Sequence, residues 1–243
     1  MPFEVCGSFS IPKLDSDLIV LAGDIDIGLE GLIWAQELTW LHKKPVIYIA
    51  GNHEYYRHDF VKLTQQMRDY AAQYDQLIFL EKDEVIINDV RFLGTTLWTN
   101  YLHELGIIER DKNILILDDA LYDHKVIRHG NESFSALKAY EEHLVSERWL
   151  RERLMEPFDG KTVVITHHAP SFQCNHIDFG MNLYSPGFAS NLDVLVAMAD
   201  VWCYGHTHSN LDATFAGCRL LSNQAGYKNE KKPVPLEHKL IIL

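Results

Sequence analysis

Cysteine is scarce and poorly spaced in this chain of 243 residues: Cys6, Cys174, Cys203 and Cys218 form no C-x-x-C pair, which argues against a disulfide framework or a zinc knuckle. They read as buried thiols. Basic charge is also in short supply, with 22 lysines and arginines against 34 aspartates and glutamates and a formal net charge of −12. That balance disfavours a phosphate-tracking surface for DNA or RNA. No apolar run approaches the roughly 20 residues of a membrane span, and residues 1–17 lack the basic-then-apolar pattern of a secretory signal. The expectation is a soluble, cytoplasmic protein with no membrane partner. Linkers rich in Gly/Ser or Pro are missing, as are internal repeats, so residues 1–243 read as a single domain. What the chain does have is 13 histidines, several of them clustered.

Short apolar, partly β-branched runs at 18–22, 46–50, 90–93, 162–165 and 201–204 predict strands buried on both faces. Amphipathic helices are predicted over 29–42, over 60–74, with Phe60, Leu63, Met67 and Ala71 on one face, and over 134–154. The last stops before Pro157, and Asp159-Gly160 turns the chain into the next strand. Hairpin-like runs at 215–221 and 239–243 follow. The alternation predicts α/β layers with a mixed sheet.

Four of the strand-like runs end in residues able to bind a metal: Gly23-Asp24, Gly51-Asn52-His53-Glu54, His167-His168 and Gly205-His206-Thr207-His208. In open α/β sheets ligands bind outside the carboxyl ends of the strands, so these distant residues can converge on one crevice. Taken singly, each has a plainer explanation. Asp24 could be a turn or helix-capping residue, Asn52 a left-handed turn residue, and His167-His168 a simple strand exit. Gly205-His206-Thr207-His208 is the stronger signal, because residues two apart in extended chain share a side. One carboxylate, one amide oxygen and several imidazoles without thiolate suit manganese, iron, zinc or nickel better than calcium.

In this order, Gly-Asp, Gly-Asn-His-Glu, Thr-His and Gly-His-x-His resemble the motifs of the calcineurin-like metallophosphoesterases, over about residues 17–227. The segments Gly94-Thr95-Thr96-Leu97-Trp98, Thr166-His167-His168-Ala169-Pro170-Ser171, Asn223 and Gly226-Tyr227 make the chain similar to small bacterial members. The resemblance implies a four-layer α/β/β/α sandwich of two mixed sheets. It also implies that Asp24 bridges two metals, that Asn52, His167 and His206 complete one position, and that His208 belongs to the other. His53 looks like the family's catalytic histidine, giving a proton to the leaving oxygen. Two cations roughly 3.5–4 Å apart bind ester oxygens and generate a nucleophile from water. His167 is preferred to His168 as the ligand because it follows the strand directly. Glu54 and Asp26 are candidates to orient a histidine from behind, although solvated charges are the expected explanation for both. His42, His58, His103, His124, His129, His143, His176 and His238 are expected at the surface, with His58 or His176 able to line a substrate mouth.

One departure matters. The family pattern opens with Asp-x-His on a first strand, and nothing here corresponds. The expectation is therefore a sandwich lacking its first strand, one well-bound divalent ion and a second that is weak or absent. Either the natural product is longer and Met1 is an internal start, or the chain is a degenerate homologue; the retained ligands favour the former. The resulting reading is a metal-dependent phosphoesterase acting on a small phosphoester. The alternative is a non-catalytic protein that binds metal or phosphate. A metal-dependent amidohydrolase also uses H-x-H, but with the pair early and the aspartate late, the reverse of the order here. Selectivity is assigned to the loops 55–59, 98–113 and 171–188.

Overall fold

The computed structural model describes residues 11–13, 15–103, 106, 108–175, 180–227 and 241. Cys6, His176, His238 and most of the run 239–243 lie outside the described residues. In chain order the strands are β1 (Ile19–Ala22), β2 (Val46–Ile49), β3 (Leu77–Phe79), β4 (Asp83–Ile87), β5 (Val90–Thr95), β6 (Arg128–His129), β7 (Glu132–Ser133), β8 (Lys161–Thr166), β9 (Val201–Cys203), β10 (Leu211–Phe215) and β11 (Cys218–Ser222). The helices are α1 (Glu30–His42), α2 (Phe60–Ala71), α3 (Arg110–Ala120), α4 (Asp123–Val126), α5 (Ala136–Met155) and α6 (Asp193–Val196).

The expected pair of mixed sheets missing a first strand is not what forms. Among the described residues three sheets are present: β1-β2-β3, β10-β11-β9-β8-β5-β4, and the two-stranded ribbon β6-β7. The smallest sheet was invisible in the sequence because two-residue strands carry no periodicity. The three-stranded sheet is parallel throughout rather than mixed. Its first strand is present, with Ile19 to Ala22 paired in register against Val46 to Ile49. The six-stranded sheet is the mixed one, parallel through β5, β8, β9 and β11 and antiparallel at the β4 and β10 edges.

Burial explains the placement of these strands. β2 is wholly buried, as its uninterrupted Val-Ile-Tyr-Ile requires. β1 is not, since three of its four residues are only half-buried, which corrects the expectation that it is covered on both faces. Ile47 and Ile49 of the small sheet join Phe92, Val163, Ile165, Val201, Cys203 and Leu221 of the large one in a shared core. On the far face of the small sheet, Leu32, Ala35 and Leu38 of α1 and Leu63 and Met67 of α2 pack against Val46 and Tyr48. Leu150 and Leu154 of α5 pack with Leu93, Val164 and Trp202 of the large sheet.

Local chemistry starts and stops the helices. The Asp59 side chain accepts from the Lys62 N–H at 2.9 Å to cap α2, and Ser135 does the same for α5 through Lys138 at 3.3 Å. At the far end of α5, the Arg91 guanidinium donates to the carbonyls of Arg153 and Glu156. Orphaned carbonyls of the last turn are thereby satisfied. No described helix is long and apolar enough to cross a membrane. Because β1, β2, β5, β8 and β9 run parallel within their sheets, the chemistry-bearing loops leave from their carboxyl ends.

Candidate metal centre

Asp24 follows β1 in a left-handed backbone conformation, φ 57°, that is costly for a residue with a Cβ. Glu54 holds it there. This carboxylate is fully buried and accepts from the N–H groups of Asp24, Ile25 and Gly51 at 3.0, 2.8 and 2.7 Å, and from the Tyr48 hydroxyl at 2.7 Å. The solvated charge expected of Glu54 is thus corrected. Its neighbour Asp26 is half-buried at the cleft lining, where it accepts from the Ile27 N–H. Two glycines make the close approach of the loops possible. A Cβ on Gly23 (φ 86°) would lie 2.5 Å from His167 Nδ1, and one on Gly51 would lie 2.7 Å from His167 Cε1.

The donor atoms of Asp24, His167 and His206 all fall within 4.8 Å of one another. His167 Nε2 lies 3.3 Å from Asp24 Oδ2, 3.2 Å from His206 Nδ1 and 2.9 Å from Asn52 Oδ1, and Asn52 Oδ1 is 3.1 Å from His206 Nδ1. On its other side His167 Nδ1 meets the Ala22 carbonyl at 2.9 Å. A carbonyl only accepts, so Nδ1 carries the proton and the Nε2 lone pair of the neutral ring points into the cluster. The His167 lone pair, the Asn52 oxygen, the Nδ1 of His206 and a carboxylate thus face one point. That set is short of positive charge and fits a divalent cation of the borderline class.

Electrostatics tie the same groups together but shift the two imidazoles in opposite directions, so an ion would take the place of a proton that the Asp24 carboxylate favours on His167. Burial opposes the Asp24 charge, but His167, His53 and His206 outweigh it and hold the carboxyl well below its usual range. Burial also opposes a charged His167, and the Asp24 carboxylate reverses this and raises its pKa. For His206, burial followed by the neighbouring His168 and His167 pushes the pKa well down, which favours the neutral ring that a metal ligand must be.

The remaining site candidates are distributed around this cluster. His53 stacks on Tyr56 at 4.4 Å between ring centroids, its backbone N–H donates to Asp24 Oδ1 at 3.0 Å, and its Nε2 lies 2.9 Å from the Tyr227 hydroxyl. His168 turns away. Its Nδ1 meets the Thr96 carbonyl at 3.2 Å, and its ring is wedged between Trp98 and His206. His206 and His208 are not an extended pair sharing a side, because both adopt positive φ, 67° and 49°. The turn leaves His208 outside the three-residue cluster, edge-on to Tyr227 at 4.4 Å. Gln224 fixes this turn by accepting from the His208 N–H at 2.7 Å and donating to Thr207 Oγ1 at 2.9 Å.

Four of the histidines expected at the surface, His42, His103, His124 and His143, are buried instead. His124 shows why: its nitrogens meet the Phe134 carbonyl and the Tyr101 hydroxyl, so the ring serves as an internal polar bridge. His58 and His129 are half-buried. Sequence reading missed Asp123 entirely. It lies 71 residues from Asn52 yet accepts from the Asn52 amide at 2.8 Å, and no local pattern marks such a long-range contact.

A cleft of about 1090 Å³ opens beside the cluster, reaching Asp24, His53, His206, His208 and Tyr227. Asp15, Asp17, Asp24, Asp26, Glu30 and Glu37 line it, with no lysine or arginine among its described lining residues.

Strand ends of two sheets supplying carboxylate, amide and imidazole donors to one point define a metal-dependent hydrolase type of centre. The model of the calcineurin-like phosphoesterase family matches residues 4–210, and the chain belongs to that family. It is also similar to an uncharacterized protein of Acanthamoeba polyphaga mimivirus, 22% identical over 234 residues that cover 88% of this chain and 79% of that protein. Among solved structures it resembles the phosphopantetheinyl hydrolase of Mycobacterium tuberculosis, with a TM-score of 0.68 and 16% identity over 92% of this chain and 83% of that one. At that identity the likeness speaks for the fold alone.

Proposed function

We propose that the chain hydrolyses a phosphomonoester or phosphodiester at a divalent metal held by Asp24, Asn52, His167 and His206, with His53 as the catalytic histidine. The observation that carries the reading is the convergence of those donor atoms at the carboxyl ends of β1, β2, β8 and β9. Manganese, iron, zinc or nickel would suit the donors. Such an ion supplies Lewis acidity to the phosphoryl oxygens and lowers the pKa of water. The acidic cleft strengthens the need for it, because its described lining offers an anionic ester no lysine or arginine.

Asp24 keeps its carboxylate charged at neutral pH and gives the centre its negative pole. Asn52 contributes a neutral oxygen. His53 stands at the mouth with its Nε2 on the Tyr227 hydroxyl, where it can hold a proton and pass it to a departing alkoxide. Asp24 with His208 would offer a second cation only a weak position or none, since His208 lies outside the three-residue cluster. The solved neighbour is described as a phosphopantetheinyl hydrolase, which makes phosphopantetheinyl esters a class to include in a substrate panel.

The test is release of p-nitrophenol from an aryl phosphodiester by metal-stripped protein resupplied with Mn²⁺, Ni²⁺ or Zn²⁺. Turnover that appears with the ion and disappears with chelator is the expected result. Tight Mn²⁺ and phosphate binding with no turnover across a panel of nucleotides, phosphopantetheinyl esters and phosphopeptides would overturn it in favour of a non-catalytic binding protein.

A further inference from the structure

We infer that Asp123 is a positioning residue of the metal centre: it sets which face of the Asn52 amide is presented to the cation, and it does so jointly with Tyr56. The inference rests on the metal-binding reading above. An asparagine side chain is nearly symmetric in shape, and rotating it by half a turn exchanges an oxygen ligand for an NH₂ group that repels a cation. Something must select the orientation, and inside the cluster nothing favours the oxygen: with its proton on Nδ1, His167 presents a lone pair at Nε2 that an NH₂ group would satisfy. Asp123 can only accept. Its Oδ1 lies 2.8 Å from Asn52 Nδ2, so the NH₂ group is drawn outward and Oδ1 is left facing His167 Nε2 and His206 Nδ1.

The same carboxylate oxygen takes a second hydrogen bond, 2.8 Å from the Tyr56 hydroxyl, and that hydroxyl in turn accepts from Asn52 Nδ2 at 3.2 Å. The three groups form a closed triangle. Tyr56 then stacks on His53 at 4.4 Å and 26°, so the triangle that orients the ligand also supports the ring at the mouth. Asp123 has little exposure, and the segment bearing it is anchored rather than loose. The Val126 carbonyl accepts from the Arg57 N–H at 3.0 Å, the His58 carbonyl accepts from the Arg128 N–H at 2.9 Å, and His124 bridges Phe134 and Tyr101. Outer partners of this kind are worth about 10- to 100-fold in metal affinity.

The test is calorimetric titration of the full, metal-stripped chain with Mn²⁺ alone, paired with the electron paramagnetic resonance spectrum of bound Mn²⁺. Asp123→Leu, close in shape, should weaken binding about 10- to 100-fold. Asp123→Asn keeps an oxygen for both hydrogen bonds and should recover most of that loss. In an Asn52→Ala background, Asp123→Leu should cost nothing further, because the residue through which it acts is gone. Equal losses in both backgrounds, or unchanged Mn²⁺ binding in Asp123→Leu, would overturn the inference. Should Asn52→Ala itself leave Mn²⁺ affinity unaltered, the metal reading fails and this inference with it. If Asp123→Leu does not fold, Asp123→Ala, which also removes the acceptor, decides by the same criterion in the two backgrounds.

Discussion

Glu54 and Glu81 are both buried carboxylates, and each accepts four hydrogen bonds, yet their charges are balanced in opposite ways. Glu81, just beyond β3, accepts from the Thr96 N–H and hydroxyl, the Thr95 hydroxyl and the Lys82 ammonium at 2.7–3.0 Å. Burial disfavours its charge, but Lys82 and Thr96 outweigh that and bring its pKa below the ordinary value. Glu54 has three N–H groups and a phenol but a second carboxylate, Asp24, beside it. Burial and then the Asp24 charge raise its pKa. Away from the site the fold carries its own counter-cation. At the site it gathers two carboxylates, and no described lysine or arginine lines the adjoining cleft, which is the arrangement a bound divalent ion completes.

The sharpest way to break this contrast is to remove ligands. Asn52→Ala and His206→Ala are expected to lower Mn²⁺ content and affinity by about a hundredfold while the metal-free chains still unfold cooperatively, as read by elemental analysis and thermal denaturation. His53→Ala should separate chemistry from binding, with turnover falling by about 10²–10⁴ and metal content retained. Loss of the metal in that variant would remove His53 from the role assigned to it.

Stability experiments sharpen the other half. Glu81→Gln should destabilise the fold by about 2–3 kcal/mol, since an amide sets its NH₂ group against donors and leaves the half-buried Lys82 ammonium with Glu142 alone as counter-charge, and Mn²⁺ affinity should not change. The pH dependence follows from the lowered pKa of Glu81. Its contribution is complete above the ordinary value of 4.5 and is lost as pH falls through the lower folded value. Denaturant titrations of the wild type and Glu81→Gln should therefore converge on acidification. Mn²⁺ at about 100 times its dissociation constant should stabilise the wild type by about 2.7 kcal/mol, and Asn52→Ala by far less. The smallest effect is expected for Tyr227→Phe, which removes one hydroxyl from His53 Nε2 and should slow turnover about 3- to 10-fold.

Much of this was visible in the amino-acid order, and for definite reasons. Apolar runs such as 46–50 and 162–165 read as interior strands by their length and β-branched content, and the glycine-flanked polar residues at their ends mark where backbone passes close to something. The Phe60, Leu63, Met67 and Ala71 stripe gave α2 for the same reason, and all four residues are buried. β3, β4 and α3 were not legible, because three residues are too few for a period, none of the five residues of the edge strand β4 is buried, and the helix Arg110–Ala120 buries only Asn113, Ile114 and Leu117. The ribbon β6-β7 escaped likewise. Within the site, Asp24 and the histidines announced themselves by position at strand ends. Glu54 showed only as a candidate, taken for a solvated charge, and Asp123 not at all, since burial and a partner 71 residues away are properties of the folded chain. The H-x-H pair misled for a related reason: its shared side presumes extended backbone, whereas His206 and His208 both turn left-handed.

Anomalous diffraction from crystals soaked in Mn²⁺ is the direct examination of the centre. The account expects a peak bounded by Asp24 Oδ2, Asn52 Oδ1, His167 Nε2 and His206 Nδ1. Manganese bound only elsewhere on the protein, or none at saturating concentration, would contradict it.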